Sequence, residues 1–354
     1  MASAPALTPR EHVPLAPLCT LGVGGPARWF AEAADEATVR AALDWARARG
    51  AGLRVLGGGS NLVVADAGVD GLVVKIALRG VETRAAGGAV ELTAAAGEPW
   101  DDLVRLTTAR GWAGLESLSG ITGLVGATPI QNVGAYGQDV SDTVTAVRAL
   151  DTRDGRVVML ARDDCDFAYR DSRFRSGEPG RFVVLAVTYR LRPGGAPAVT
   201  YDDIARHLEA RGAAGPSLAD VRESVLAVRR AKSMTLDDPT DPNRRSCGSF
   251  FTNPVVSAAE ADRIGGLARD PAMPRWPQPD GRVKIPAAWL IERAGFARGH
   301  ADGPVGLSTR HALAVVAHDG ARAADVVAFA RRLQDAVRAR FGVSLTWEPV
   351  FWEA

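Results

Sequence analysis

Three side chains in this sequence are of types that hold carboxylates or move protons, and each sits in a distinctive short string. Arg170 lies in Phe167-Ala168-Tyr169-Arg170-Asp171-Ser172-Arg173-Phe174. Ser249 lies in Gly248-Ser249-Phe250-Phe251-Thr252-Asn253-Pro254, and Glu348 in Thr346-Trp347-Glu348-Pro349-Val350. A guanidinium stays charged and grips a carboxylate by two parallel bonds. A serine hydroxyl is normally a poor acid but donates and accepts hydrogen bonds. A glutamate carboxyl group accepts hydrogen bonds and can take part in proton transfer. Each has a plain alternative. Arg170 suits an ion pair with Asp166 or Asp171, Ser249 a turn or cap, and Glu348 a strand end.

Two glycine-rich stretches have no such acid–base chemistry and instead bring backbone close to something. Gly57-Gly58-Gly59-Ser60-Asn61 follows the apolar run Leu53 to Leu56 and precedes Leu62-Val63-Val64. Glycines after a strand turn several N–H groups toward one point, which makes an anion-binding nest, and Ser60 and Asn61 add side-chain donors. No helix-opening G-x-G-x-x-G and no following lysine is present, so neither a Rossmann nor a Walker A loop is indicated. A hairpin turn is the plain alternative. The second stretch runs from Ile121 to Gly137 and contains Pro129-Ile130-Gln131-Asn132-Val133-Gly134-Ala135-Tyr136-Gly137. Small residues at 126 to 128 suit close packing against a cofactor. Two such loops in one half of the chain favour a shared ligand.

The elements that must position these residues form an α+β pattern with strands in groups. Helical spacing predicts helices at Thr38 to Arg49, Asp101 to Arg110, Ser217 to Arg230, Ala287 to Ala294 and Ala323 to Phe341. Apolar runs predict strands at Gly71 to Ile76, Val90 to Ala96, Val144 to Leu150, Arg156 to Leu160, Phe182 to Leu191, Ala312 to Ala317 and Val343 to Phe351. Arg192 to Ala198, rich in Pro and Gly, marks a domain boundary.

Composition narrows the function classes. The 354 residues exceed one ordinary core. A net charge of +1 gives no global field toward nucleic acid or membranes. Cys19, Cys165 and Cys247 are too few and too widely spaced for a disulfide framework or a zinc site, which fits a reducing compartment. Met1 to Thr8 has neither a basic region nor an apolar run, and no stretch approaches a membrane span, so a cytoplasmic enzyme without metal is expected.

Together the motifs resemble the FAD-binding fold of the vanillyl-alcohol-oxidase (PCMH) type. PIQNVGAYG in particular resembles the UDP-N-acetylenolpyruvoylglucosamine reductase (MurB) family, and the likeness runs from about Leu18 to Phe351. The Tyr201 region and the Trp276-Pro277-Gln278 loop are similar to its type I branch. The resemblance implies a two-lobed FAD-binding region at 15–80 and 81–195, followed by an α+β substrate-binding domain at 200–354. It implies noncovalent FAD, NADPH as hydride donor, UDP-N-acetylenolpyruvoylglucosamine as substrate and a monomer. Arg170 matches the family's catalytic arginine, Ser249 its proton donor and Glu348 its catalytic glutamate. Flavin contacts fall on Leu56, Gly57, Gly58, Gly59, Ser60, Asn61, Leu62, Ile121, Gly123, Thr128, Gly134, Ala135, Tyr136 and Val184. Substrate contacts fall on Tyr201, Lys232, Asn253, Trp276 and His311. Trp276 stands where the type I lid has tyrosine, and His311 where one branch has glutamine.

Two rivals stay open at this level. One is another flavoprotein of the same fold that oxidises an alcohol or lactone. The other is a flavin or UDP-sugar sensor without turnover. The five histidines fall outside both glycine-rich stretches, which argues against a histidyl flavin bond.

Overall fold

The computed structural model describes residues 7–213 and 215–353. The expectations for Met1 to Thr8 and for the 200–354 segment therefore include positions outside the described residues. The chain divides into two compact units. One holds residues 7–13, 27–59 and 70–235, and the other holds 14–26, 60–69 and 236–353.

The first unit is built on an antiparallel sheet in the order Val157–Ala161, Val144–Asp151, Phe182–Pro193, Ala89–Ala95, Val81–Ala86. Phe182–Pro193 is central and opens with four buried apolar residues, as a strand covered on both faces requires. A second sheet orders Arg10–Pro14, Pro26–Ala33, Val69–Ile76 and Gly52–Leu56, with the last two parallel. Helix Glu36–Ala48 begins where the Asp35 carboxylate accepts from Thr38 N at 2.7 Å, and it buries Val39, Leu43 and Ala46 as their spacing predicts. The apolar core runs continuously from Ala31 to Leu191 through both sheets and includes Trp100 and Tyr189. Helices Asp202–Ala210 and Leu218–Ala231 pack on each other through Ile204, Leu208, Val221 and Val225.

The second unit has its own core, centred on helix Ala323–Phe341, which buries Val326, Phe329, Ala330, Leu333 and Val337. Its main sheet orders Ser246–Ser249, Ala314–Ala317, Val305–Leu307 and Ala301–Asp302. Strand Val350–Trp352 runs parallel to Leu62–Val64. A small sheet joins Val255–Val256, Val283–Lys284 and Trp276–Pro277.

The expected strand at Val343 to Phe351 is shorter than the pattern suggests. Val343 and Leu345 are buried by alternation, but the ladder begins only at Val350. Upstream, Thr252 N donates to Thr346 O and Glu348 N to Phe250 O, while Pro349 has no N–H to give. Sequence patterns also left out the helices Asp202–Ala210 and Ala258–Ala268 and the strands Arg10–Pro14, Pro26–Ala33 and Val81–Ala86.

Helix Ala323–Phe341 takes its N-terminal cap from far away in the chain. Its own N-cap, Arg322, makes no side-chain cap bond. Asp66 instead accepts from Ala323 N at 2.8 Å and Ala324 N at 2.9 Å. A carboxylate there satisfies two orphan donors and opposes the positive end of the helix. Asp66→Ala should cost about 1 kcal/mol, read as a lower urea midpoint. An unchanged midpoint would contradict this role.

Candidate active site

In the first unit the two glycine-rich stretches meet backbone to backbone. A Cβ on Gly58 would lie 2.9 Å from Gly123 Cα, and Gly59 and Gly123 both hold positive φ (62° and 123°). Only glycine allows this combination. Gly57 by contrast has ordinary room, with Ala127 Cβ 3.8 Å from its missing Cβ. The close packing expected of residues 126 to 128 is with protein. A Cβ on Gly126 would meet Ala96 Cβ at 2.5 Å, and the Thr128 hydroxyl reaches Val125 O (2.8 Å) and Tyr189 Oη (3.0 Å). Leu56 and Val184 are buried, Ile121 and Ala135 half-buried.

Arg170 stands at the tip of a tight reversal. Ala168 and Asp171 exchange both backbone bonds (3.0 and 3.2 Å), and Arg170 takes φ 54°. A non-glycine residue in the left-handed region costs about 1 kcal/mol or more and persists where its surroundings over-determine it. Here they do. The guanidinium donates to Asn132 O (3.4 Å), to Asp139 Oδ1 (3.2 Å) and to Gly134 O. It pairs with Asp139, where the plain alternative had Asp166 or Asp171. Gly134 has no room for a side chain, because the Asp139 carboxylate and Arg170 occupy the space where its Cβ would go. Asn132, also left-handed (φ 46°), ties the reversal to the loop: its amide donates to Ala168 O at 3.0 Å while its carbonyl accepts from Ser141 N at 3.1 Å.

Tyr136, the next left-handed residue (φ 50°), meets Tyr201 edge to face at 5.4 Å. Burial raises its phenol above the ordinary value. Lys232 Nζ donates to Asp203 at 2.8 Å, and Asp203 is held below the usual carboxylate range chiefly by that bond.

The second unit gathers the remaining candidates by backbone pairing. Ser249 pairs with Ala314 across the sheet. Phe250 N donates to Leu313 O (2.8 Å), and Leu313 N donates to His311 Nδ1 (3.0 Å). Glu348 N donates to Phe250 O (3.0 Å), and the Asn61 amide to Glu348 O (3.2 Å). Asn61, Ser249, Glu348 and His311 therefore sit on adjacent backbone, with Ser60 and Leu62 flanking Asn61. His311 Nδ1 being an acceptor places the neutral ring's proton on Nε2. Asn253 Oδ1 caps helix Ala287–Arg293 through Ala287 N (2.9 Å), a structural duty beside any ligand contact. Trp276 is exposed on the small sheet. The three cysteines are free and buried, and burial pushes Cys19 up to about 11 and Cys165 to about 12, so both stay thiols at neutral pH. Among the described residues no cluster of His, Cys, Asp and Glu could hold a metal, and no helix is long and apolar enough to cross a membrane.

Sequence reasoning did not single out Asn132 and Asp139, although both lie in or beside the PIQNVGAYG string. No local spacing links Asp139 to Arg170, which is 31 residues away.

Similarity to known proteins makes the chain that carries this glycine cradle an FAD-binding oxidoreductase. Residues 27–161 match the family model described as FAD binding domain, and residues 238–352 match the C-terminal domain of UDP-N-acetylenolpyruvoylglucosamine reductase. The reductase of that name from Saccharopolyspora erythraea is 49% identical over 346 residues, covering 95% of this chain and 93% of that protein. The one from Pseudomonas aeruginosa is 43% identical over 341 residues, covering 96% and 98%. The crystal structure of the reductase (MurB) from Thermus caldophilus superposes with a TM-score of 0.63 at 26% identity, covering 98% of this chain and all of that one. The chain belongs to the UDP-N-acetylenolpyruvoylglucosamine reductase family.

Gly58→Ala should force the two loops apart, at a cost of about 1–3 kcal/mol. The purified variant should carry less flavin, read from its visible absorbance relative to protein, and melt earlier. Wild-type flavin content and melting temperature would contradict the close approach.

Proposed function

We propose that this chain reduces the enolpyruvyl ether of UDP-N-acetylenolpyruvoylglucosamine to UDP-N-acetylmuramate, a peptidoglycan precursor, with NADPH as reductant. The observation that carries this is the likeness, over nearly the full length of both chains, to relatives bearing the reductase name. Residues 15–80 and 81–195 are assigned to noncovalent FAD and 200–354 to the sugar nucleotide. The backbone of Gly57 to Asn61 and the stretch from Ile121 to Tyr136 are the flavin-holding residues. A cytoplasmic monomer completes the reading.

When bound, FAD supplies hydride taken from NADPH to C3 of the enolpyruvyl group. Negative charge then develops at C2 and in the substrate carboxylate. Arg170 grips that carboxylate. Its pull strengthens as charge builds, which is differential binding of the transition state. The hold of Asp139 and the two carbonyls on its guanidinium supports this role, because a pre-aimed cation needs no reorganisation during the reaction. Ser249 gives the proton to C2, where proximity to a strongly basic carbon matters more than bulk acidity. Glu348 polarises the carboxylate together with Arg170. Tyr201, Lys232, Asn253, Trp276 and His311 bind the UDP-sugar, with Lys232 leaving Asp203 for the diphosphate.

The test is the Ser249→Ala variant under anaerobic single-turnover conditions. Flavin reduction by NADPH should stay within about twofold of wild type. Flavin reoxidation by the UDP-sugar should slow by about 10²-fold or more. Equal reoxidation rates would overturn the assignment of Ser249 as proton donor.

A further inference from the structure

We propose that His311 is a positioning residue for Ser249: its Nδ1 fixes the turn whose carbonyl anchors the strand end carrying Ser249, and its Nε2–H is the side of the ring that meets the sugar nucleotide. The inference deepens the reading above and rests on it, giving one residue two separable duties at the same site.

Strand Ser246–Ser249 does not fix Ser249 by an even ladder. Ser246 pairs with Val316 and Ser249 with Ala314, and the register slips between them. Gly248, inside the slip, holds φ 76°. Such a bulge interrupts the pairing and re-aims the side chains beside it. The Ser249 end therefore takes its position from the bonds that follow it. Phe250 N donates to Leu313 O at 2.8 Å, and Phe250 O accepts from Glu348 N at 3.0 Å. Leu313 O is thus the point at which the backbone next to Ser249 is held to the neighbouring strand.

Leu313 lies in the turn from His311 to Ala314, which Ala314 N closes by donating to His311 O at 3.1 Å. His311 locks this turn from within: its Nδ1 accepts from Leu313 N at 3.0 Å, the bond that Asn or Asp makes in an Asx-turn. The approach to the turn is pinned as well. The buried Ser308 hydroxyl accepts from Arg310 N (3.1 Å) and His311 N (3.3 Å), and Asn243 Oδ1 accepts from Thr309 N (2.9 Å). Leu313 is buried, so its N–H cannot lose the imidazole without cost. To find another partner the turn must shift, and Leu313 O shifts with it. An Nδ1 that accepts carries no proton, which puts the neutral ring's proton on Nε2. The contact with the UDP-sugar assigned to His311 then falls to Nε2–H. The two nitrogens stand on different edges of the ring, so substitution separates them. Asparagine Oδ1 takes nearly the place of Nδ1, and glutamine Nε2 that of the ring's Nε2.

The experiment is anaerobic reoxidation of the reduced holoenzyme by UDP-N-acetylenolpyruvoylglucosamine, with the limiting rate and the half-saturating concentration measured for wild type, His311→Gln and His311→Asn. His311→Gln lacks the Nδ1 acceptor, so its limiting rate should fall by about tenfold or more, with the smaller change in half-saturation. His311→Asn regains the acceptor and lacks the Nε2 donor. Its limiting rate should recover to within about threefold of wild type while its half-saturating concentration rises about tenfold. General loosening of the fold would not exchange the two effects in this way. A limiting rate for His311→Asn no better than that of His311→Gln, or a wild-type limiting rate in His311→Gln, would overturn the inference. Should either variant fail to fold, nitrogen NMR of the wild-type protein decides. A coupling between the Leu313 amide nitrogen and an unprotonated His311 Nδ1 at neutral pH is expected, and a protonated Nδ1 would overturn the inference. If wild-type flavin is not reoxidised by this sugar, the functional reading fails and the inference with it. Wild-type reoxidation with the variants out of this order sinks the inference alone.

Discussion

The approach of Gly58 to Gly123 is the constraint around which the first unit is arranged. The two loops come this close because Gly58 carries no Cβ, which would meet Gly123 Cα, and because Gly123 holds a φ that other residues rarely adopt. That contact sets where their N–H groups point, and an anion nest depends on that direction. Gly126 does comparable work one turn on by seating the second loop against Ala96, at the end of a core strand. The backbone proposed to hold the flavin is in this way joined to the antiparallel sheet by a contact that admits no side chain.

Strain collects along the second loop and the reversal that faces it. Asn132, Tyr136 and Arg170 all hold positive φ without being glycine. Each is locked by a different device: Asn132 by its side-chain amide, Tyr136 by the edge-to-face contact with Tyr201, Arg170 by Asp139 and two carbonyls. Residues held in sparsely populated conformations mark places where a side chain's aim matters more than local stability. The buried Glu116 carboxylate reinforces the same region, accepting from Gly114 N, Ala198 N and the Gln138 amide.

Elements with a strong period were legible in the sequence. Helix Ala323–Phe341 has the bounds its period predicts, and the helix expected at Ser217 to Arg230 runs Leu218–Ala231 with Ser217 as its cap. Elements with little to bury were not. Strand Val81–Ala86 is exposed along nearly its whole length, so it shows no alternation. Helix Asp202–Ala210 buries only Ile204 and Leu208. Helix Ala258–Ala268 had a readable signal in the Ser257–Glu260 capping box, offset by Gly265 and Gly266 within it. At the site, the motifs pointed to Arg170, Ser249 and Glu348, but the groups that aim them were invisible. Asp139 and Asn132 hold Arg170 through tertiary contacts that no local spacing encodes.

The central claim is that one flavin passes reducing equivalents from NADPH to an enolpyruvyl UDP-sugar. Anaerobic stopped-flow absorbance of the wild-type flavin tests it most directly. NADPH should bleach the flavin band, and UDP-N-acetylenolpyruvoylglucosamine added to the reduced protein should restore it within the turnover time. A flavin that bleaches but is not restored by that sugar would contradict the account.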